Sequence, residues 1–300
     1  MMKAPASREC LISWALLAPA IIFYGLFVLL PIAQSAAYSL FDWSGVGAEK
    51  MFISLENYAW LCRDPVFWRA LRNNFLLVLL SLVIQLPAAM GLAVLLSYLR
   101  RTRSLFRTIL FAPMMLPAVA VGLLWSFIYL PGDGLLDRFL ALFSNHVAFG
   151  WLGRSDMVLP AVIAAICWRH TGFHMVLFIA GIESIPEELY EAARLDGASE
   201  WQVFRRITLP MLLPVTRVSA VLSIVGSLKY FDLIWVMTRG GPAHASELVA
   251  TYVYKTGIEA QEFGRGSALA VALLAIVFTA TLVTHALLRA WARLTAEGKA

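Results

Sequence analysis

Charge is scarce in this chain. Asp, Glu, Lys and Arg make up 14% of its 300 residues, against roughly 25% in an average soluble domain. Cysteine is scarcer still, with Cys10, Cys62 and Cys167 at unrelated spacings. That scatter excludes a disulfide framework and a cysteine-based zinc site. No G-x-x-x-x-G-K-[S/T] phosphate loop occurs, and the one Gly-Lys pair, Gly298-Lys299, is followed by alanine. Nucleotide hydrolysis on a P-loop is therefore not a property of this sequence. The net charge of +5 is small, and the arginines gather at the ends of apolar runs. A nucleic-acid binder would present them as a stripe.

What is abundant is apolar surface. Hydrophobic residues account for 60% of the chain and the mean hydropathy is +0.75. A soluble body of this length has too little interior to hide them, so a bilayer must be the solvent for much of it. Six runs, 11–40, 75–99, 108–130, 157–182, 214–237 and 266–288, approach or exceed the ~20 residues that a crossing helix needs. The pattern predicts an all-α membrane protein with a transmembrane domain over 11–290, between a short N-terminal segment (1–10) and a tail (291–300). The basic start, Lys3 and Arg8, resembles a signal peptide, but the first run is too long, and Pro19 and Pro31 point to a bent span. Pro87, Pro113, Pro117 and Pro160 are expected to bend helices around a cavity. Arg100, Arg101, Arg103 and Arg107 crowd one short loop, and Lys3, Arg8, Arg289, Arg293 and Lys299 mark the termini. The positive-inside rule then puts both termini in the cytoplasm.

One polar segment, 183–213, interrupts the apolar pattern on the same side. It reads as two short helices joined at a glycine. Ser184 is placed to cap the first, with Pro186 in its first turn and Glu187 three residues after the cap. Gly197 suits the left-handed position that ends it. Ser199 and Gln202 repeat the capping spacing, and Pro210 is expected to stop the second helix. The segment is net acidic, with Glu183, Glu187, Glu188, Glu191, Asp196 and Glu200 against Arg194, Arg205 and Arg206. An interfacial helix lying on lipid would instead favour Lys and Arg.

Ionisable residues inside the spans form the second signal, because they cost a few kcal/mol each unless they face a wet cavity or a partner. They fall in Cys167-Trp-Arg169-His170-Thr-Gly-Phe173-His174 and in Ser227-Leu-Lys229-Tyr230-Phe-Asp232. Rings that stack on C–H faces beside groups that bond hydroxyls suit a sugar. Arg169, His170, Phe173, Ser227, Lys229 and Tyr230 are therefore candidates for a substrate path. The two cations leave room for an anionic solute such as a sugar phosphate. The plainer reading pairs Lys229 with Asp232 three residues on. His170 and His174 lie four apart on one face, but no third metal ligand accompanies them. Ser267 and His285 do not form a catalytic dyad, since eighteen helical residues separate them by about 27 Å.

The stretch Glu191-Ala192-Ala193-x-x-Asp196-Gly197-Ala, followed by Phe204, Ile207 and Leu209-Pro210, resembles the coupling loop of ATP-binding-cassette importer permeases. Phe231-Asp232-Leu-Ile234 with Thr238-Arg-Gly240-Gly241-Pro242 is similar to the carbohydrate-uptake branch, related to maltose and glycerol-3-phosphate systems. So are Asn57-Tyr58, Asp64-Pro65-Val-Phe67 and Asn73-Asn74 before the second run, and Phe263-Gly264 with Ser267-Ala268-Leu269 before the sixth. The resemblance implies six transmembrane helices of the type I importer architecture in a bacterial cytoplasmic (inner) membrane. It implies a second homologous permease, two ATPase subunits and an extracytoplasmic solute-binding protein as partners, with membrane lipid and without nucleic acid. ATP and Mg would be bound by the partner ATPase, and no cofactor or metal by this chain. The nine coupling-loop residues just named would seat in a groove of that ATPase. The competing classes are a secondary transporter, which would need no ATPase, and a membrane enzyme.

Overall fold

The computed structural model describes the backbone of residues 6–47, 49–99, 101–143 and 148–297, and the side chains between 13 and 287 among them. Lys3, Arg100 and Lys299 lie outside the described residues, as do the side chains of Arg8, Cys10, Arg289 and Arg293. Among the described residues, five helical stretches are long and apolar enough to cross a bilayer: Ser13–Tyr38, Pro65–Ser97, Val158–Glu183, Leu213–Met237 and Phe263–Leu287.

The run expected as the third span, 108–130, with bends at Pro113 and Pro117, is broken sharply. It forms two helices, Arg103–Met115 and Ala118–Ile128, that meet at 99°. Pro117 lacks the N–H that would continue the first helix, and it drives the preceding residue out of the helical region. Leu116 accordingly has φ −72° and ψ 144°. Counted as one broken span, the pair brings the total to six.

Other prolines are absorbed rather than bent around. Wide π-type turns run over Gly25–Leu29, Ser81–Gln85 and Phe204–Thr208. Each is followed by an α-helix whose second residue is proline, namely Pro31, Pro87 and Pro210. The return from five-residue to four-residue bonding is where the missing N–H falls. Pro210 consequently does not stop the second helix of the polar segment. The chain stays helical through Leu209–Met211 and resumes at Leu213.

Contacts divide the chain into two units. The first is Met1–Asp64 with Val253–Leu274. Within it, Phe41–Asp42 pairs with Met51–Phe52, and the Asn57 amide donates to the carbonyls of Ser39 at 2.8 Å and Phe41 at 3.0 Å. The second is Pro65–Tyr252 with Ala275–Ala300, and its centre is helix Val158–Glu183. Half of that helix's apolar stretch is buried inside the protein. One cluster gathers Leu77, Val121, Val162, Ile163 and Leu233, and another gathers Ala89, Ala93, Phe178, Ile179 and Leu212. Lipid tails are as apolar as leucine, so such helices hold together by close packing of small residues. Gly172 is the clearest case, because a Cβ there would lie on the Leu110 carbonyl.

Candidate functional site

The polar segment is built as a rigid corner. Its first helix, Glu187–Leu195, begins after Pro186 and carries Glu187 and Glu188 in the first turn, where the helix dipole favours acids. Ser184 does not cap it. That residue closes Val158–Glu183 instead, its hydroxyl donating to the Gly181 carbonyl at 2.7 Å. At the far end the Gly197 N–H donates to the Arg194 carbonyl at 3.1 Å and the Ala198 N–H to the Ala193 carbonyl at 2.9 Å. These are the two bonds of a Schellman cap, which needs φ > 0 at its turning residue. Gly197 has φ +73°. The second helix, Glu200–Val203, opens with the expected capping box. Gln202 Oε1 accepts from the Ser199 N–H at 2.8 Å, and Ser199 Oγ accepts from the Gln202 N–H.

The corner is anchored from beneath. Ile185, Val203 and Leu212 are buried, Tyr190 Oη and Thr208 Oγ1 lie 3.3 Å apart, and Tyr98 donates to Glu200 at 3.0 Å. Arg103 pairs with Glu183 at 2.8 Å. Glu191, Ala192, Asp196, Gly197 and Pro210 are exposed, whereas Ala193, Phe204, Ile207 and Leu209 are half-buried. Leu195 and Trp201 protrude, 89% and 67% exposed.

A second feature lies within the spans. A cavity of about 110 Å³ opens between the wide turn at Ser81–Gln85, helix Val158–Glu183 and helix Leu213–Leu228. Four sequence candidates, His170, Phe173, Ser227 and Tyr230, line it. The rings of His170 and Tyr230 meet edge to face with centroids 5.6 Å apart. The sequence reading missed Ser81, Gln85 and Ser223, which also line it, as does His174, named from the sequence as part of the charged cluster and as one of a histidine pair. Ser219, Ser223 and Ser227 recur every four residues and are all buried, a helical stripe that periodicity alone would have found. His174 is nearly enclosed, and its Nδ1 has no partner among the described residues.

Neither cation is among the lining residues, although the Arg169 side chain lies beside Tyr230, which is. Arg169 turns to the break in the third span and donates from Nη2 to the Leu116 carbonyl at 3.2 Å. Leu116 is extended at the break, so its carbonyl stands outside both helices, and Arg169 supplies a donor from a neighbouring one. Lys229 and Asp232 are both exposed, and no ion pair joins them among the described residues. The chain leaves the helix at Leu228 and re-enters at Asp232, so the three-residue spacing never becomes one helical face.

Residues 85–296, which include the corner and all of the named cavity lining except Ser81, match the family described as binding-protein-dependent transport system inner membrane component. The chain belongs to this family of permeases. The probable ABC transporter permease YurN of Bacillus subtilis is 38% identical over 280 residues, covering 92% of this chain and 96% of that protein. The diacetylchitobiose uptake system permease NgcF of Streptomyces coelicolor is 33% identical over 286 residues, covering 91% and 80%. A crystal structure of a bacterial ABC transporter involved in the import of the acidic polysaccharide alginate aligns with TM-score 0.83 at 25% identity, covering 94% of this chain and 96% of that one. The permease is thus an all-α, multi-pass transport subunit of the type I importer architecture, and ATP hydrolysis belongs to a separate subunit.

For the permease, the Arg169 geometry predicts a stability effect. Arg169→Ala should lower the melting temperature, because the Leu116 carbonyl lies within an apolar span and would lose the donor that Arg169 provides. The KM for uptake should stay unchanged. A raised KM at unchanged melting temperature would return Arg169 to the solute path.

Proposed function

We propose that the permease carries a carbohydrate inward and that its exposed corner is the surface on which the ATPase acts. The observation that carries this reading is the corner itself, rigid by its caps, anchored below, and presenting Leu195 and Trp201 outward. Exposed Ala192 lets a partner's backbone come close. Glu191, Asp196 and Gly197 share that surface, while Phe204, Ile207, Leu209 and Pro210 carry its movement into helix Leu213–Leu228. The corner then faces the cytoplasm together with both termini, as the arginines between 100 and 107 also suggest. ATP and Mg belong to two ATPase chains, and a second permease completes the path. A solute-binding protein delivers from outside. No cofactor is required of this chain.

The cavity supports a sugar as cargo. Ser81, Gln85, Ser223 and Ser227 supply hydroxyl and amide partners, and Phe173, His170 and Tyr230 supply ring faces. Diacetylchitobiose and alginate, the cargoes of the two named relatives, are both carbohydrates, which fits. An anionic solute such as glycerol-3-phosphate is the alternative cargo, with Arg169 beside Tyr230 of the lining as its nearest cation.

Crosslinking tests the assembly. With native cysteines removed, a cysteine at Ala193 or at Glu200 should join to the ATPase in the isolated complex, and one at Glu49 should not. Crosslinks from Glu49 alone would reverse the topology and remove the corner from its assigned role.

A further inference from the structure

We infer that Asn74 is a positioning residue that clamps an outer loop, 238–251, to the wall of the cavity, so that a load on the loop is delivered at Ser227. The argument begins with the break in the fifth span. Helix Leu213–Leu228 ends inside the apolar region and the chain resumes as helix only at Asp232. The last carbonyls before such a break lose their normal donors, and lipid offers no water to replace them. Asn74 supplies the replacement. Its amide nitrogen donates to the Ser227 carbonyl at 2.9 Å and to the Leu228 carbonyl at 3.0 Å. Its other end accepts from the Val249 N–H at 2.9 Å. The side chain is fully buried, so all three bonds form away from competing solvent, where they are strongest. Asparagine is required here by its chemistry, since one planar group must donate twice on one side and accept on the other.

The loop held by Asn74 is itself stiff. Glu247 is fully buried, and its carboxylate accepts from Thr251 Oγ1 at 2.6 Å and meets His244 Nδ1 at 2.8 Å. Ser246 Oγ donates to the Gly241 carbonyl at 2.7 Å and lies 2.8 Å from Thr238 Oγ1. Gly240, at φ +76°, leaves the room that the Glu247 carboxylate occupies. Helix Pro65–Leu80 grips the loop at two further points. Arg69 Nη1 donates to the Ala243 carbonyl at 2.8 Å, and the Asn73 amide to the carbonyls of Ala245 and Glu247 at 3.0 and 2.9 Å. Only the tip, around Arg239 and Ala243, is exposed, while 246–249 are buried. A partner touching the tip therefore pushes a body that ends on Asn74, and beyond Asn74 is Ser227 of the cavity lining.

Asn73 provides the internal control. It sits on the same helix, is as deeply buried, and donates two bonds to the same loop. Only Asn74 reaches the cavity wall.

The inference rests on the importer reading above, and the test separates the two. In the purified complex, the solute-binding protein that co-purifies is titrated while ATP hydrolysis is followed. Wild type should be stimulated, and absence of stimulation would sink the importer reading and this inference with it. Asn74→Leu should leave basal hydrolysis and the docking affinity within about twofold of wild type while stimulation is lost, with uptake Vmax down at least about tenfold at unchanged KM. Asn73→Leu should weaken docking yet keep full stimulation at saturation. Equal behaviour of the two variants, or full stimulation of Asn74→Leu, would overturn the inference. Should Asn74→Leu fail to assemble, amide exchange in the wild-type complex decides. Docking should slow exchange in both 245–251 and 227–232, and protection confined to the loop would contradict the clamp.

Discussion

Uptake by a complex carrying Gly197→Asp should fall at least about 100-fold, a loss of about 2.7 kcal/mol, with the permease still folded and assembled. An added Cβ at Gly197 meets nothing within 4 Å. The substitution therefore creates no clash, and its internal cost is that of a left-handed residue, about 1–2 kcal/mol and least for Asp and Asn. The effect lies outside the chain. Gly197 is the vertex between helices Glu187–Leu195 and Glu200–Val203, and a carboxylate there stands on the surface assigned to the ATPase. Stimulated ATP hydrolysis should disappear together with uptake. Gly197→Asn makes the same backbone demand without the charge and should retain part of both. Normal uptake by assembled Gly197→Asp complex would remove the corner from coupling.

The second large effect is structural. Gly172→Ala should abolish accumulation of folded permease, or lower its melting temperature by several degrees in whatever protein survives. A Cβ at Gly172 would sit on the Leu110 carbonyl, 2.8 Å from Leu110 C and 2.9 Å from Phe111 Cα. Those are backbone atoms of helix Arg103–Met115, so no rotamer change relieves the contact and the two helices must separate. Overpacking of this kind costs about 1–3 kcal/mol where side chains can adjust, and here they cannot. Gly91→Ala is the matched control. It lies in another spanning helix, its Cβ would meet nothing within 4 Å, and alanine is the better helix former by about 1 kcal/mol. Equal melting temperatures for the two variants would contradict the close approach.

The features legible in the sequence were those fixed by local chemistry. Gly197 needed a left-handed residue after a helix, and Ser199 with Gln202 needed only the three-residue spacing of a capping box. Both depend on backbone within one turn. Ser184 misled because its hydroxyl had two uses, and it closed the helix before it. Pro210 misled because a wide turn upstream absorbed it. The third run reads as one apolar stretch bent at its prolines, and only the backbone shows that the turn at Pro117 reaches 99°. In the cavity, His170, Phe173, Ser227 and Tyr230 were found because polar or aromatic groups in a span are conspicuous. Gln85 and Ser81 were not, since their place in the lining comes from a π turn that hydropathy does not register. Arg169 drew attention by its charge, yet its observed bond is to a carbonyl exposed by a bend on another helix. Such long-range satisfaction has no sequence signature.

Transport by the purified complex in sealed vesicles tests the central claim most directly. A tag on this chain should recover it with an ATPase, a second permease and a solute-binding protein, and the carbohydrate held by that binding protein is the labelled solute. Vesicles should accumulate it only with ATP on the ATPase side and the binding protein on the other. Accumulation driven by an ion gradient without ATP, or none of the carbohydrate under either condition, would contradict the account.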